Sequence, residues 1–169
     1  MNQLIRYAIT ATLSFIFLGI FISCSTEPVS IKYGVDQCAR CELVIDDNRF
    51  SAALEAVDGQ VLKFNSIECL MGFHIEPSIP NEQFKASWVS DYNKPGHLLR
   101  AGQAVFVHTL AESSPGGVGL FAFATDAEAR SFAGQNEGEI LQWDGVKEIV
   151  KLDWFEAPPT APSDSVGNE

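Results

Sequence analysis

The feature that most limits what this chain can become is an uncharged apolar run from Tyr7 to Ile22, which ends in Phe21-Ile22-Ser23-Cys24. Asn2, Gln3 and Arg6 form a short polar region with a single positive charge, and Phe15 to Ile22 is a strong hydrophobic segment. Together they read as a secretory signal. A Cys directly after a small residue resembles a lipobox, with Phe21 at the place usually held by Leu. Residues 1–23 are therefore assigned to a removed signal peptide, and Cys24 to lipidation (acylation, palmitate among the acyl groups). A retained transmembrane anchor is the competing reading, because the run is near the lower limit of spanning length. Either way the folding part is held at a membrane, facing away from the cytoplasm. Ser25, rather than the usual bacterial retention residue Asp, follows the Cys. The expected location is the cell envelope, at the outer membrane or the periplasmic face.

The rest of the chain has an ordinary globular balance, with 46% hydrophobic and 20% charged residues over the 169. The formal charge of −11 becomes −12 when Arg6 leaves with the signal. No cluster of Lys and Arg is present to neutralise phosphates, so nucleic-acid binding is excluded. Once Cys24 is acylated, three thiols remain: Cys38, Cys41 and Cys69. In an oxidising compartment at most one pair of these can close, so one thiol stays free or holds a metal.

Two passes of similar element order follow. Phe50 to Val57 alternates as a strand, Asp58-Gly59 turns it, and Val61 to Phe64 returns. Asn65 or Ser66 can cap a helix over Ile67 to Ile75, which Pro77 and Pro80 stop. Ala86 to Tyr92 is the closing strand. In the second pass Ala104 to Leu110 and Gly119 to Ala124 are strands. The capping box Thr125-Asp-Ala-Glu128 opens a helix through about Ala133, and Glu139 to Trp143 is the last strand. The fold class is α+β, built of two small β-β-α-β units packed together. The expected divisions are 24–36 for the lipidated Cys and its tether, 37–95 and 96–156 for the two units, and 157–169 for a Pro-rich disordered tail.

Chemistry concentrates at Cys38-Ala-Arg-Cys41. A C-x-x-C can be a redox pair, part of a metal site or a structural disulfide. Glu42 to Asn48 is a poor helix start, which argues against the thioredoxin arrangement, and no second C-x-x-C or H-x-x-x-H completes a structural zinc site. Cys69 stands near the start of the first helix, where the helix dipole favours thiolate. Met71 and His74 follow, three apart, where they can share a face. Thiolate and thioether donors select soft Cu(I), so Cys38, Cys41, Cys69, Met71 and His74 form a candidate soft-metal set. Each has an ordinary alternative: Met71 in the core, His74 as a cap or surface residue, and Cys69 as a small buried hydrophobe. No general base stands out, because His74, His97 and His108 are scattered and lack a carboxylate at motif spacing. The sequence points away from an enzyme.

Cys38-Ala-Arg-Cys-Glu-Leu-Val-Ile45, Arg49-Phe-Ser-Ala52, Phe64-Asn-Ser-Ile-Glu-Cys-Leu-Met71 and Trp88-Val-Ser-Asp-Tyr92 resemble the NosL family. So do Ser114-Pro-Gly-Gly117, Gly119-Leu-Phe-Ala-Phe123 and Ala127 to Ala133, so the resemblance spans roughly 37 to 149. It implies a membrane-anchored Cu(I) chaperone that serves maturation of nitrous-oxide reductase or a similar copper enzyme. The implied partners are the apo enzyme or its membrane assembly complex. It also implies two β-β-α-β domains, and makes Cys41 the first ligand with Cys38 its partner. The chain departs from the family at Glu42-Leu43, where Gly-Met is usual, and at Gly116, where Met is usual. With two thioethers missing, a homodimer sharing one metal would supply further donors. The alternative from another class is a non-metal interaction lipoprotein with a Cys38–Cys41 disulfide. Asp46 and Asp47 beside the motif are either docking charges or a solvated turn.

Overall fold

The computed structural model describes residues 29–156. The signal, the Cys24 lipidation position and the tail at 157–169 lie outside the described residues. The first sheet comprises β1 (Ala52–Ala56), β2 (Val61–Phe64), β3 (Phe84–Ser90) and β4 (Leu98–Arg100), antiparallel in the order β2-β1-β3-β4. Helix α1 (Ile67–Ile75) connects β2 to β3. The second sheet comprises β5 (Val105–His108), β6 (Leu120–Phe123) and β7 (Glu139–Leu141) in the order β6-β5-β7, again antiparallel. Helix α2 (Asp126–Gln135) precedes β7, and α3 (Trp143–Lys151) follows it and runs into a π-helical turn at Leu152–Glu156. The α+β class and the two β-β-α-β passes are as the sequence indicates.

Three features differ from that reading. The last strand stops at Leu141, and Trp143 opens a helix instead of ending a strand. The added strand β4 pairs with β3, so the first sheet continues to Arg100. Val29 is buried, and Ile31 and Tyr33 pack against the core, so residues 29–36 belong to the folded body and not to a free tether.

The period-two alternation of the strands sorts the side chains between two faces. In the second sheet Phe106, Leu120 and Ala122 face a large core shared with Leu54, Phe64 and Val89 of the first sheet. Val107, Phe121 and Phe123 face the other way, onto Ala129 and Ala133 of α2. Helix α1 lies in the shared core: Ile67, Cys69, Leu70, Met71 and Phe73 are all buried there, together with Val146 and Val150 of α3. This burial of nearly every side chain fixes α1, and with it Cys69, relative to both units.

Candidate metal centre

The first thiol pair sits on a small hairpin held by backbone hydrogen bonds. An isolated bridge pairs Gln37 with Val44, and the Cys38 amide donates to the Leu43 carbonyl at 2.8 Å. The Glu42 amide closes the loop onto the Cys38 carbonyl at 2.9 Å. Strand β2 anchors the hairpin from below: the Ala39 amide donates to the Lys63 carbonyl at 2.7 Å, and Lys63 Nζ pairs with Asp36 at 2.6 Å. Glu42 turns the chain with φ +64°, a left-handed conformation that a glycine would adopt without strain.

The third thiol comes from the first turn of α1. Ser66 is the N-cap, and its hydroxyl accepts from the Cys69 amide at 3.1 Å. The sulfurs of Cys38, Cys41 and Cys69 all lie within 4.8 Å of one another. All three are free thiols; Cys38 and Cys69 are buried and Cys41 is partly exposed. A soft cation can reach this group from the Cys41 side and find three sulfur donors.

The charge within the cluster sits on Cys38 and not on Cys69. A hydrogen bond from the Cys69 thiol, helped by the backbone amides of Cys41, Asn65 and Arg40, holds the Cys38 thiol down at about 5. The same hydrogen bond, together with burial and the Cys38 charge, pushes Cys69 well above the ordinary thiol range. Burial also raises Cys41. The helix dipole that favours thiolate at Cys69 is therefore overridden, because two buried anions in contact cost more than one anion sharing a proton.

His74 stands apart from the thiols, and Met71 lies in the core cluster that also contains Cys38 and Cys69. Met71 and His74 line a separate cavity of about 240 Å³ with Phe84, Trp143 and Lys147. His74 Nε2 is 2.8 Å from Ser87 Oγ, and its ring packs edge-on against Phe84 and Trp143. Burial, with Lys147 nearby, lowers its basicity to about 4, so the ring is neutral at physiological pH. His74 is not among the residues that gather at the thiols. Leu43 is 63% exposed on the hairpin, so the position where a thioether is missing points into solvent.

One residue of consequence is not indicated by spacing. Glu68 is fully buried on α1 beside Cys69, and Ser114 Oγ donates to its Oε1. The Leu120 amide approaches the same oxygen at 3.4 Å, while Oε2 has no partner among the described residues. Burial pushes this carboxyl up, favouring the neutral acid. Gly116 lies directly on it: a Cβ there would come within 2.5 Å of Glu68 Cβ. An acid written between Ile67 and Cys69 reads as a helix-surface charge, and only the approach of the 114–120 loop turns it inward.

Fold and thiols together define a small α+β protein with a three-sulfur cluster suited to a soft metal. The chain belongs to the NosL family, whose model matches residues 28–150. A relative is the copper-binding lipoprotein NosL of Stutzerimonas stutzeri, 27% identical over 134 residues, which cover 75% of this chain and 69% of that protein. Among solved structures, the copper chaperone NosL from Shewanella denitrificans matches with a TM-score of 0.60 at 23% identity, covering 69% of this chain and 92% of that one. That likeness establishes the shared fold.

Proposed function

We propose that this protein is a Cu(I) carrier of the cell envelope, anchored by lipid at Cys24, which hands copper to an apo copper enzyme or to its membrane assembly complex. Nitrous-oxide reductase is the enzyme the family relationship favours. The observation that carries the reading is the group of three free thiols within 4.8 Å, with one already a thiolate. Copper is cargo here. Cys38 and Cys69 would hold it from the protein side, and Cys41, partly exposed, would be the sulfur an incoming donor displaces. Transfer then proceeds by ligand exchange on a metal of low coordination number, with no change in its oxidation state. The name of the S. stutzeri relative, a copper-binding lipoprotein, supports both the metal and the anchor.

The test is an anaerobic Cu(I) titration of the reduced protein against a chromophoric chelator, with Cys41→Ser alongside. Tight stoichiometric binding that collapses in the variant is the expected outcome. Wild-type binding that is weak, and no better than that of Cys41→Ser, would overturn the carrier reading in favour of an interaction lipoprotein.

A further inference from the structure

We propose that Arg40 and Trp154 are positioning residues for the thiol cluster. Trp154 clamps the Arg40 side chain across α1, and the clamp holds the Cys38–Cys41 loop against Cys69 and sets how far Cys41 opens to solvent.

Arg40 stands between the two loop cysteines. Its guanidinium carbon lies 4.5 Å from the centre of the Trp154 ring and 5.8 Å from that of Phe155. Stacking of this kind on indole is the strongest form of cation–π contact. Both aromatic residues belong to the π-helical turn at Leu152–Glu156 that extends α3, and both pack against the core that contains α1. The clamp is therefore fixed to the body of the fold and not to the loop it holds.

Gly72 shows where the arm passes. It follows Cys69 by three residues, so the two share a face of α1. A Cβ at Gly72 would lie 2.6 Å from Arg40 Nε and 2.8 Å from Trp154 Cζ3. Alanine is the better helix former at a mid-helix position. Here it would displace both side chains, and the glycine leaves the passage open. The Arg40 arm thus crosses the helix face that bears Cys69, while the backbone on either side of Arg40 bears Cys38 and Cys41. Backbone bonds hold the inner side of the loop to β2 and to its own hairpin. The Arg40 arm holds the side that faces α1.

The consequence for copper rests on the carrier reading, but the clamp itself can be measured without metal. In the reduced, metal-free full chain, the iodoacetamide reaction rate at Cys41 is followed by peptide mass mapping, with thermal midpoints recorded in parallel. Trp154→Ala and Gly72→Ala are expected to raise that rate roughly three- to tenfold, the range one cation–π contact supplies. Trp154→Phe, which keeps an aromatic face, should stay near wild type. Gly72→Ala carries the test if Trp154→Ala fails to fold, because it adds one methyl and favours the helix. A Cys41 rate unchanged in folded Gly72→Ala overturns the clamp. The same variants are then loaded with Cu(I) and released to a chelator, where faster release by a similar factor is expected. If wild type takes up no Cu(I) but Cys41 is unmasked in the variants, the clamp stands and the carrier reading falls. Copper uptake by wild type with no unmasking gives the reverse.

Discussion

Glu42→Gly should stabilise the protein and leave its thiol chemistry alone. At φ +64° the Glu42 Cβ crowds the backbone, which costs an L-residue about 1–2 kcal/mol. Glycine removes that strain but gives back about 0.5–1 kcal/mol, because its unfolded chain is freer. The net gain is about 0.5–1 kcal/mol, or roughly 1–4 °C in thermal midpoint for a domain of this size. The backbone already follows the course a glycine would take, with the Glu42 amide on the Cys38 carbonyl at 2.9 Å. Sulfur positions and Cu(I) affinity should therefore not move. Glu137, at φ +51° just after α2, provides the control, because Glu137→Gly relieves the same strain far along the chain from the hairpin. Melting of the reduced, metal-free proteins measures both. The reasoning fails if Glu137→Gly raises the midpoint while Glu42→Gly lowers it, since the Glu42 side chain would then be stabilising the turn it strains.

Burial of Glu68 has a definite sign: its native pKa is raised, so the folded state keeps a proton that the unfolded chain releases. Its contribution to metal-free stability should fall as pH rises above about 4.5, by up to about 1.4 kcal/mol per unit until the native value is passed. His74 and Cys38 contribute in the opposite sense, because their native values of about 4 and about 5 lie below their unfolded ones. Glu68→Gln should remove the falling contribution, so that in denaturant titrations at a series of pH values stability rises more steeply with pH in the variant than in wild type. Equal slopes would assign the proton to other groups. Gly116→Met drives a side chain into Glu68 and should cost about 1–3 kcal/mol. Pairing it with Glu68→Gly, which removes the Cβ that the new side chain meets as well as the carboxyl, should recover part of that loss. Strictly additive costs would show that the two positions do not compete for space. Ser66→Ala removes the cap on the Cys69 amide and should cost about 1 kcal/mol in the same denaturant assay. A loss of only a few tenths would mean that water satisfies the amide.

What could be read from the residues depended on whether a local signal existed. Helix α1 begins after Ser66 and ends before Pro77, and its range Ile67–Ile75 follows from those two punctuating residues. The capping box at Thr125 likewise located α2. Helix α3 was hidden because Gln142 makes no side-chain cap and Gly145 interrupts the first turn. Its periodicity was nonetheless present, since Val146, Ile149 and Val150 recur at helical spacing and all pack on the core. Strand β4 has three residues and no pattern of its own, and exists only through its partner β3. At the site, the C-x-x-C spacing and the odd third thiol were visible. Met71 stands close to Cys69 in the chain, but residues two apart on a helix do not share a face. The positions of the thiolate and of Glu68 depend on amides and loops brought in from distant segments, which no spacing records.

The proton content of the thiol cluster supplies a way to count copper ligands without a spectrum of the metal. At neutral pH Cys38, near 5, is a thiolate, while Cys41 and Cys69 are both raised and stay protonated. Cu(I) bound by Cys38 and one other sulfur then releases one proton, and Cu(I) bound by all three sulfurs releases two. The logarithm of the affinity should accordingly rise with pH at a slope of one or of two over about pH 7–8.5, where neither raised thiol has yet titrated. Competition against a chelator, corrected for the chelator's own protonation, gives the slope, and proton release in weakly buffered solution gives the same number independently. Cys38→Ser sharpens the reading: it removes the resident anion, so a site built from Cys41 and Cys69 must discharge both protons. Its affinity should be weaker at pH 7 and its slope should be two. A slope of zero in wild type would mean that copper displaces no thiol proton, and that neither Cys41 nor Cys69 is a ligand to it.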